Sequence, residues 1–508
     1  MSGFNRAGRA SGGIDLGMRN PSLGRRPANA GAVEASRPHA NMSGQILKTA
    51  VGGVTWRGGG VGEATGRSLT EGLAAILARP VGGAARARAA LHLMDWLGCA
   101  VAGQASEAGH IVAAYAGKLG AGAAKAIGGG RLEAGAAALV NGCYGNVLEM
   151  DDIHRTSILH PGPVVVPAAL AVAEREGASA EALLTALVRG YEAVIRVGRS
   201  FGPGHYRHWH NTSTGGPFGA AAAAGSLLAL EQPQMVAALG NAGTQASGPW
   251  QCRLEGAMSK QLHTGRAAAS GLAAADLAAL GFTGPRLILE GPLGWYAATC
   301  PDARPERVLA GPEGDWLMLE TSFKPWPACR HAHATIDATL KLRDKVAAEV
   351  IERVLVRSFA DAVGICDNPA PQTTLQAKFS LQHTAAVVLL DGPPRLEAFD
   401  PPALRRSDVA ALRAKVALEA TEPFTSAYPE HFGAGVVVEL KDGRRLEASV
   451  RDSLGDPENP VSLGEIEAKA RMLMASAGLA AARIEAIVGA ALALPGGGDL
   501  RRMTDLLP

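Results

Sequence analysis

Residues 179–200 read SAEALLTALVRGYEAVIRVGRS, with apolar side chains returning every three or four positions, the period of one helix face. Ser179 stands where an N-cap belongs, and Glu181 favours the positive end of the helix that follows. The same period runs through LTEGLAAILARP (69–80) and ARARAALHLMDWLGCAVAG (85–103), which stop at Pro and Gly, and through EAGAAALVNGCYGNVLEM (133–150). It continues in PAALAVAEREG (167–177), GPFGAAAAAGSLLALE (216–231), QPQMVAALGNAGTQASG (232–248) and TGRAAASGLAAADLAALG (264–281), with Gln232 placed to open a helix. No fixed sequence period links these segments, so they predict a bundle of many helices and not a repeat array.

The chain has 508 residues, 47% of them hydrophobic, which suffices for a large core and more than one domain. Only 19% are charged and 5% aromatic; the weight falls on Ala and Gly, which suits closely packed helices with small residues at their contacts. Beyond about Leu317 the texture changes. EVIERVLVRSF (349–359) mixes helix formers with β-branched residues, and GVVVELKDGRRLEASV (435–450) alternates on both sides of Asp442-Gly443, a hairpin signal. The tail from Ser462 returns to helix, with Ala-rich faces that need a partner surface. The expected fold class is therefore mainly α: a helical domain over 67–317 completed by 462–508, and a smaller α+β lid domain over 318–461.

The first 67 residues hold nine Lys/Arg against three Asp/Glu, so the net charge of +2 belongs to that stretch and the remainder is mildly acidic. That excludes nucleic-acid binding by charge. Residues 1–66, rich in Gly, Ala, Ser, Pro and Arg, read as a disordered extension or a mis-assigned start, with Met42 as the alternative first residue. No apolar run is long enough to span a bilayer. Six scattered cysteines without a CxxC pair indicate neither a zinc site nor a disulfide framework, and a reducing, cytoplasmic setting fits.

Four polar clusters stand out in a chain so sparing of charge. LEMDDIHRTSILHPG (148–162) carries Asp151, Asp152, His154, Arg155 and His160 between a helix ending near Met150 and the helix-breaking Pro161-Gly162-Pro163. GPGHYRHWHNTSTGG (202–216) crowds His205, His208 and His210 before an Ala-rich helix; metal binding there is the lesser reading, because the spacing matches no standard ligand set. EGAMSKQLHTGRAAASG (255–271) repeats Lys260, His263 and Arg266 at three-residue intervals, near one helical face or along a solvated stripe. SFKPWPACRHAHATIDATLKL (322–342) sets Lys324, Arg330, His331 and His333 at the expected domain junction, where pockets are favoured. Together they suit a substrate bearing carboxylates: cations grip it and stabilise charge developing beside a carboxylate, while imidazole or carboxylate moves protons.

LEMDDIHRTSILHPGPVVVPAALAVAE, HNTSTGGPFGAAAAAGSLLAL, MSKQLHTGRAAASGLAAADLAALGFTGP, KPWPACRHAHATIDA and KFSLQHTAAVVLLDG, in this order, resemble the MmgE/PrpD family, which includes 2-methylcitrate dehydratase, cis-aconitate decarboxylase and iminodisuccinate epimerase. The resemblance implies a homodimer, a site between helical and lid domains, and no metal or organic cofactor. It implies a catalytic set of Asp151, Asp152, His160 and His210, with His160 the preferred proton carrier oriented by Asp151 or Asp152. Lys260 and Lys324 would bind substrate carboxylates, assisted by His263 and Arg330. Ile153 stands where the decarboxylase pattern has threonine, and Cys329 near its histidine, in a register with one residue inserted before His160. The leading expectation is therefore a carbon–oxygen lyase that dehydrates a 2-methylcitrate-like hydroxy acid. The alternatives are an epimerase, a decarboxylase, or a catalytically silent organic-acid-binding paralogue.

Overall fold

The computed structural model describes residues 66–508; apart from Gly66, the extension expected over 1–66 lies outside them. Helix α1 (Leu69–Leu77) opens on a capping box in which Ser68 and Glu71 satisfy each other's backbone amides. The helical part continues with α2 (Gly83–Gln104), α3 (Ala134–Asn146), α4 (Gly162–Glu176), α5 (Ala180–Gly198), α6 (Asn211–Leu227), α7 (Gln232–Thr244) and α8 (Ser259–Ala279). A short antiparallel ribbon of β1 (Ala121–Lys125) and β2 (Arg131–Leu132) interrupts it. Ser179 caps α5 by accepting from the Ala182 amide.

Small residues at the crossings set the architecture. Where α3 meets α8, a Cβ on Gly142 would lie 2.9 Å from the Gly265 Cα, and one on Gly265 would collide with the Leu139 carbonyl and the Cys143 Sγ. Only hydrogen at both positions lets the two backbones approach this closely, and that approach carries the first turn of α8 towards the end of α3.

A second hydrophobic core gathers residues 328–450 around a four-stranded sheet. Its strands are β3 (Ile351–Ser358), β4 (Val416–Ala420), β5 (Ala434–Leu440) and β6 (Arg445–Val450), in the order β4-β3-β5-β6. The β3–β4 pair is parallel and the rest antiparallel. The hairpin turns at Asp442-Gly443 with Gly443 at φ 82°, a conformation that favours glycine. Helices α9 (His333–Arg343) and α10 (Leu381–Asp391) contribute Ile336, Leu342, Leu381 and Val388 to this core.

The chain then returns to the first core. Ile466, Ala470 and Met474 of α11 (Leu463–Ser476) and Ile487 of α12 (Ala481–Ala493) share a cluster with Leu93, Trp96 and Leu97 of α2. One expected boundary moved: the helix read as ending near Met150 stops at Asn146. Four residues thus leave the helix and join the loop that carries the acidic cluster. No helix among the described residues is long and apolar enough to cross a membrane.

Gly265→Ala forces a methyl group into the α3–α8 crossing and should cost about 1–3 kcal/mol. Gly489→Ala, in an exposed part of α12 with open space around it, should be neutral or stabilise by roughly 0.5–1 kcal/mol. Urea denaturation of the two variants beside the parent checks both signs.

Candidate active site

Two residues of the loop between α3 and α4 sit in the left-handed region without being glycine: Glu149 at φ 58° and Ile158 at φ 50°. Such a backbone persists only when its surroundings over-determine it, and here they do. The Ile153 amide donates to the Ser322 carbonyl at 3.0 Å and the return bond is 2.8 Å. Arg155 reaches Glu458 at 2.7 Å and Asp452 at 3.2 Å. Lys469, from α11, pairs with Asp95 of α2 at 2.6 Å and donates to the Met150 carbonyl.

Asp152 is the hub of that bracing. Its Oδ1 accepts from the Gly162 amide at 2.8 Å, and its Oδ2 accepts from the Tyr191 hydroxyl at 2.6 Å and faces His92 Nδ1 at 2.8 Å. Gly162 is required there, because a Cβ would stand 2.7 Å from Asp152 Oδ1. Burial drives the His92 pKa down to about 4 against the pull of Asp152. Asp152 therefore pins the loop to α4 and α5, with both of its carboxylate oxygens engaged.

Glu149 lies at the centre of a buried charge cluster. Its carboxylate forms an ion pair with Lys260, in the first turn of α8, and lies 3.7 Å from Lys324 Nζ. Lys260 also donates to Asn146 Oδ1 at 2.8 Å, and Lys378 donates to the Leu148 carbonyl at 2.7 Å. Burial alone would raise the Glu149 pKa, but Lys260 and Lys324 override it and hold the carboxylate below its ordinary range. Burial opposes charge on Lys260 too, and Glu149 with Asp151 more than restores it. For Lys324 and Lys378 burial wins: both are lowered, Lys378 to about 8. Lys324 is fully buried, and its Nζ has no hydrogen-bond partner among the described residues.

Asp151 Oδ2 stands 3.0 Å from His160 Nδ1, which also lies 2.8 Å from the Asp152 carbonyl oxygen. Burial would raise the Asp151 pKa, but His160, Lys324 and Lys260 hold it far below the ordinary carboxylate range. With Nδ1 committed to those two oxygens, His160 keeps Nε2 for a proton transfer. His210 and His263 face each other, Nδ1 to Nδ1, at 3.3 Å. Burial and then Lys260 lower both, His263 to about 4, so both imidazoles are neutral near pH 7. Lys260 also lines an open cleft of about 280 Å³ between Trp250–Gly256 and Gly364–Phe379.

Cys329 lies 3.3 Å from His331 Nδ1. Burial would push its thiol up; the neighbouring Cys366 thiol and His331 outweigh burial and lower it, while Cys366 is raised by the same pairing.

Of the residues expected from sequence, Asp151 is felt by His160, Lys324 and Lys260, and His210 by Lys260, His263 and His160, so that Lys260 and His160 link the two groups. Asp152 is adjacent but structurally committed. Arg330 is turned elsewhere: its guanidinium pairs with buried Asp456, which also takes Ser322 Oγ at 2.6 Å. The Lys260, His263, Arg266 row does not keep one environment, since three-residue steps drift around a helix of 3.6 residues per turn; Lys260 is buried, His263 half-buried and Arg266 exposed. His205 is held by Thr214 at 2.9 Å and Thr299 at 3.2 Å, and His208 is exposed. Among the described residues one group, His431, Asp452 and Glu458, has metal-ligand spacing, but Arg155 already occupies both of its carboxylates.

Sequence reasoning missed Glu149 and Lys378. Glu149 was read as the last turn of a helix, and Lys378, in KFSLQ, has the local pattern of any surface lysine; the early helix stop at Gly145-Asn146 was the one signal for the former.

The fold and site together define a mainly helical protein with a smaller α+β part and a buried, lysine-rich centre, one lysine of which, Lys260, lines an open cleft. Profiles of the MmgE/PrpD N-terminal and C-terminal domains match residues 67–308 and 326–493. The chain belongs to the MmgE/PrpD family. It is 30% identical over 400 residues to the cis-aconitate decarboxylase-like protein oryM of Aspergillus oryzae, covering 73% of this chain and 82% of that one. It is 28% identical to human cis-aconitate decarboxylase over 404 residues, with 75% and 81% covered. Aspergillus terreus cis-aconitate decarboxylase is 28% identical over 366 residues, covering 66% and 74%. These similar proteins are decarboxylases by name, so dehydration, the leading expectation from sequence, receives less support than its decarboxylase alternative.

Lys324→Met removes a cation that burial disfavours and leaves Glu149 paired with Lys260. The variant should melt at or above the parent temperature while binding of tricarballylate falls at least tenfold, as read by thermal shift and calorimetry. Tricarballylate affinity of the parent should also fall as pH rises through about 8, where Lys378 loses its proton; in Lys378→Met that limb should vanish.

Proposed function

We propose that the protein is a lyase that removes CO2 from an unsaturated tricarboxylate of the cis-aconitate type. The observation that carries this reading is the unpartnered, fully buried Lys324 ammonium beside Glu149, in a cluster where Lys260, Lys324 and Lys378 outnumber Glu149 and Asp151. A bound carboxylate supplies the missing negative charge and partner. The names of the relatives at 27–30% identity support decarboxylation over the other reactions of the family.

In such a substrate the departing carboxylate sits on a carbon next to an alkene conjugated with another carboxylate. The C–C bond breaks, its electron pair enters the alkene as an allylic carbanion, and the conjugated carboxylate takes up the charge under the lysine ammoniums. His160 Nε2, with Nδ1 fixed by Asp151, delivers the proton to the far carbon, and solvent restores it to the imidazole. One proton is consumed and one CO2 leaves. Neutral His210 and His263 line the same centre as hydrogen-bonding groups that add no competing charge.

A second reading, dehydration of a 2-methylcitrate-like hydroxy acid, is favoured by Ile153 where the decarboxylase pattern carries threonine and by Cys329 near the position of its histidine. The two readings separate in one experiment: purified protein is offered cis-aconitate or 2-methylcitrate in deuterated water and followed by proton NMR. Decarboxylation gives exo-methylene signals and one deuterium at the saturated methylene. A new alkene from 2-methylcitrate with cis-aconitate untouched selects dehydration, and no change in either overturns both. His160→Gln, which can keep the hydrogen bond to Asp151, should lower kcat by about 10²–10⁴; a near-normal rate removes His160 from the chemistry.

A further inference from the structure

Beyond the lysine centre, a larger cleft of about 670 Å³ opens between the residues before α6 and the segment around Asp361 and Tyr428. It is of the size that holds a small-molecule ligand. Arg207, Arg253, Arg304 and Arg307 all line it, against one carboxylate, Asp361. Among the described residues none of the four arginines forms an ion pair, although most arginines elsewhere in the helical part have found a carboxylate or several carbonyls. The nearby Asp302 is engaged by the Gly204 amide at 2.7 Å. Arg199 donates to the Arg307 carbonyl at 2.7 Å and so holds the backbone from which Arg307 projects.

The wall also carries two unsatisfied polar atoms. Tyr428 is stacked on Phe359 with ring centroids 4.6 Å apart, and its buried hydroxyl has no partner among the described residues. The same is true of Asn211 Oδ1, whose other amide atom donates to the Ser157 carbonyl at 3.0 Å. Buried polar atoms left without partners lose about 1–3 kcal/mol each, and four guanidiniums facing one space repel one another. A ligand rich in anionic oxygen relieves both, since guanidinium binds carboxylate and phosphate in bidentate geometry and a phenol donates to either.

We propose that this cleft is a second anion site, separate from the lysine centre, that takes a small polyanion bearing two or more carboxylate or phosphate groups. The two clefts adjoin, sharing Arg253 and Ile365 as lining residues. Asn211 follows His210 directly and holds the loop of His160 through Ser157, so an occupant of the arginine cleft touches the frame of the lysine centre without entering it. The inference stands on the cleft itself and does not depend on the reaction proposed above.

Titration calorimetry of the full chain with pyrophosphate, and of Lys324→Met with tricarballylate so that the lysine centre does not contribute, tests it. Saturable binding is expected, weakened at least tenfold in Arg207→Gln/Arg304→Gln, whose two exposed positions leave the cores intact and the melting temperature unchanged. Lys324→Met should keep pyrophosphate binding. Whichever probe binds the arginine cleft more tightly identifies phosphate or carboxylate as the natural group. Absence of saturable pyrophosphate binding, parental pyrophosphate affinity in the double arginine variant, or loss of pyrophosphate binding confined to Lys324→Met would overturn the proposal.

Discussion

Buried positive charge in excess of buried negative charge is the constraint around which this molecule is organised. Each ion withdrawn from water loses several kcal/mol of solvation even after the protein relaxes, and only close counter-charge recovers it. Glu149 recovers it for Lys260 and in part for Lys324. Lys324 and Lys378 remain under-compensated, which is why burial lowers both. An anion placed there would supply the missing counter-charge, and in its absence the under-compensated lysines cost stability.

Holding such a cluster together needs rigid support from parts of the chain far apart in sequence. The cluster draws on the end of α3, the start of α8, the segment before α9 and the short helix ending at Lys378. Glycines bring α3 and α8 into backbone contact. Asp152, hydrogen-bonded to Gly162 and Tyr191, locks the loop onto α4 and α5, and Lys469 ties it to the returning α11 and to Asp95. The left-handed backbone at Glu149 is tolerated because the ion pairs at its carboxylate and the bonds at its neighbours leave it no alternative.

Two adjacent aspartates illustrate how much of the site could be read in advance. Both were recognisable as unusual in a charge-poor chain, yet nothing local separates them. In the fold, Asp151 points to His160, whereas Asp152 turns to a helix N-terminus and a tyrosine. The loop sends these neighbouring side chains to different partners, and for Asp152 those partners are set by α2, α4 and α5. Arg330 and Lys378 make the same point from the other direction. Arg330 looked free to meet a substrate and pairs with Asp456, a residue 126 positions away; Lys378 carries no local mark of its burial and lies beside Leu148, out of solvent.

From the amino-acid order alone came the helical period, the hairpin at Asp442-Gly443, the return of the tail to helix and the chemical types present in the centre, because these depend on spacing and local backbone preference. Which lysines lose their water, which aspartate faces the imidazole, where α3 stops and how two clefts come to share Arg253 were decided only by tertiary structure. The reason is physical: desolvation and ion pairing depend on distances between segments that the chain brings together from hundreds of residues apart, and no local pattern encodes those distances.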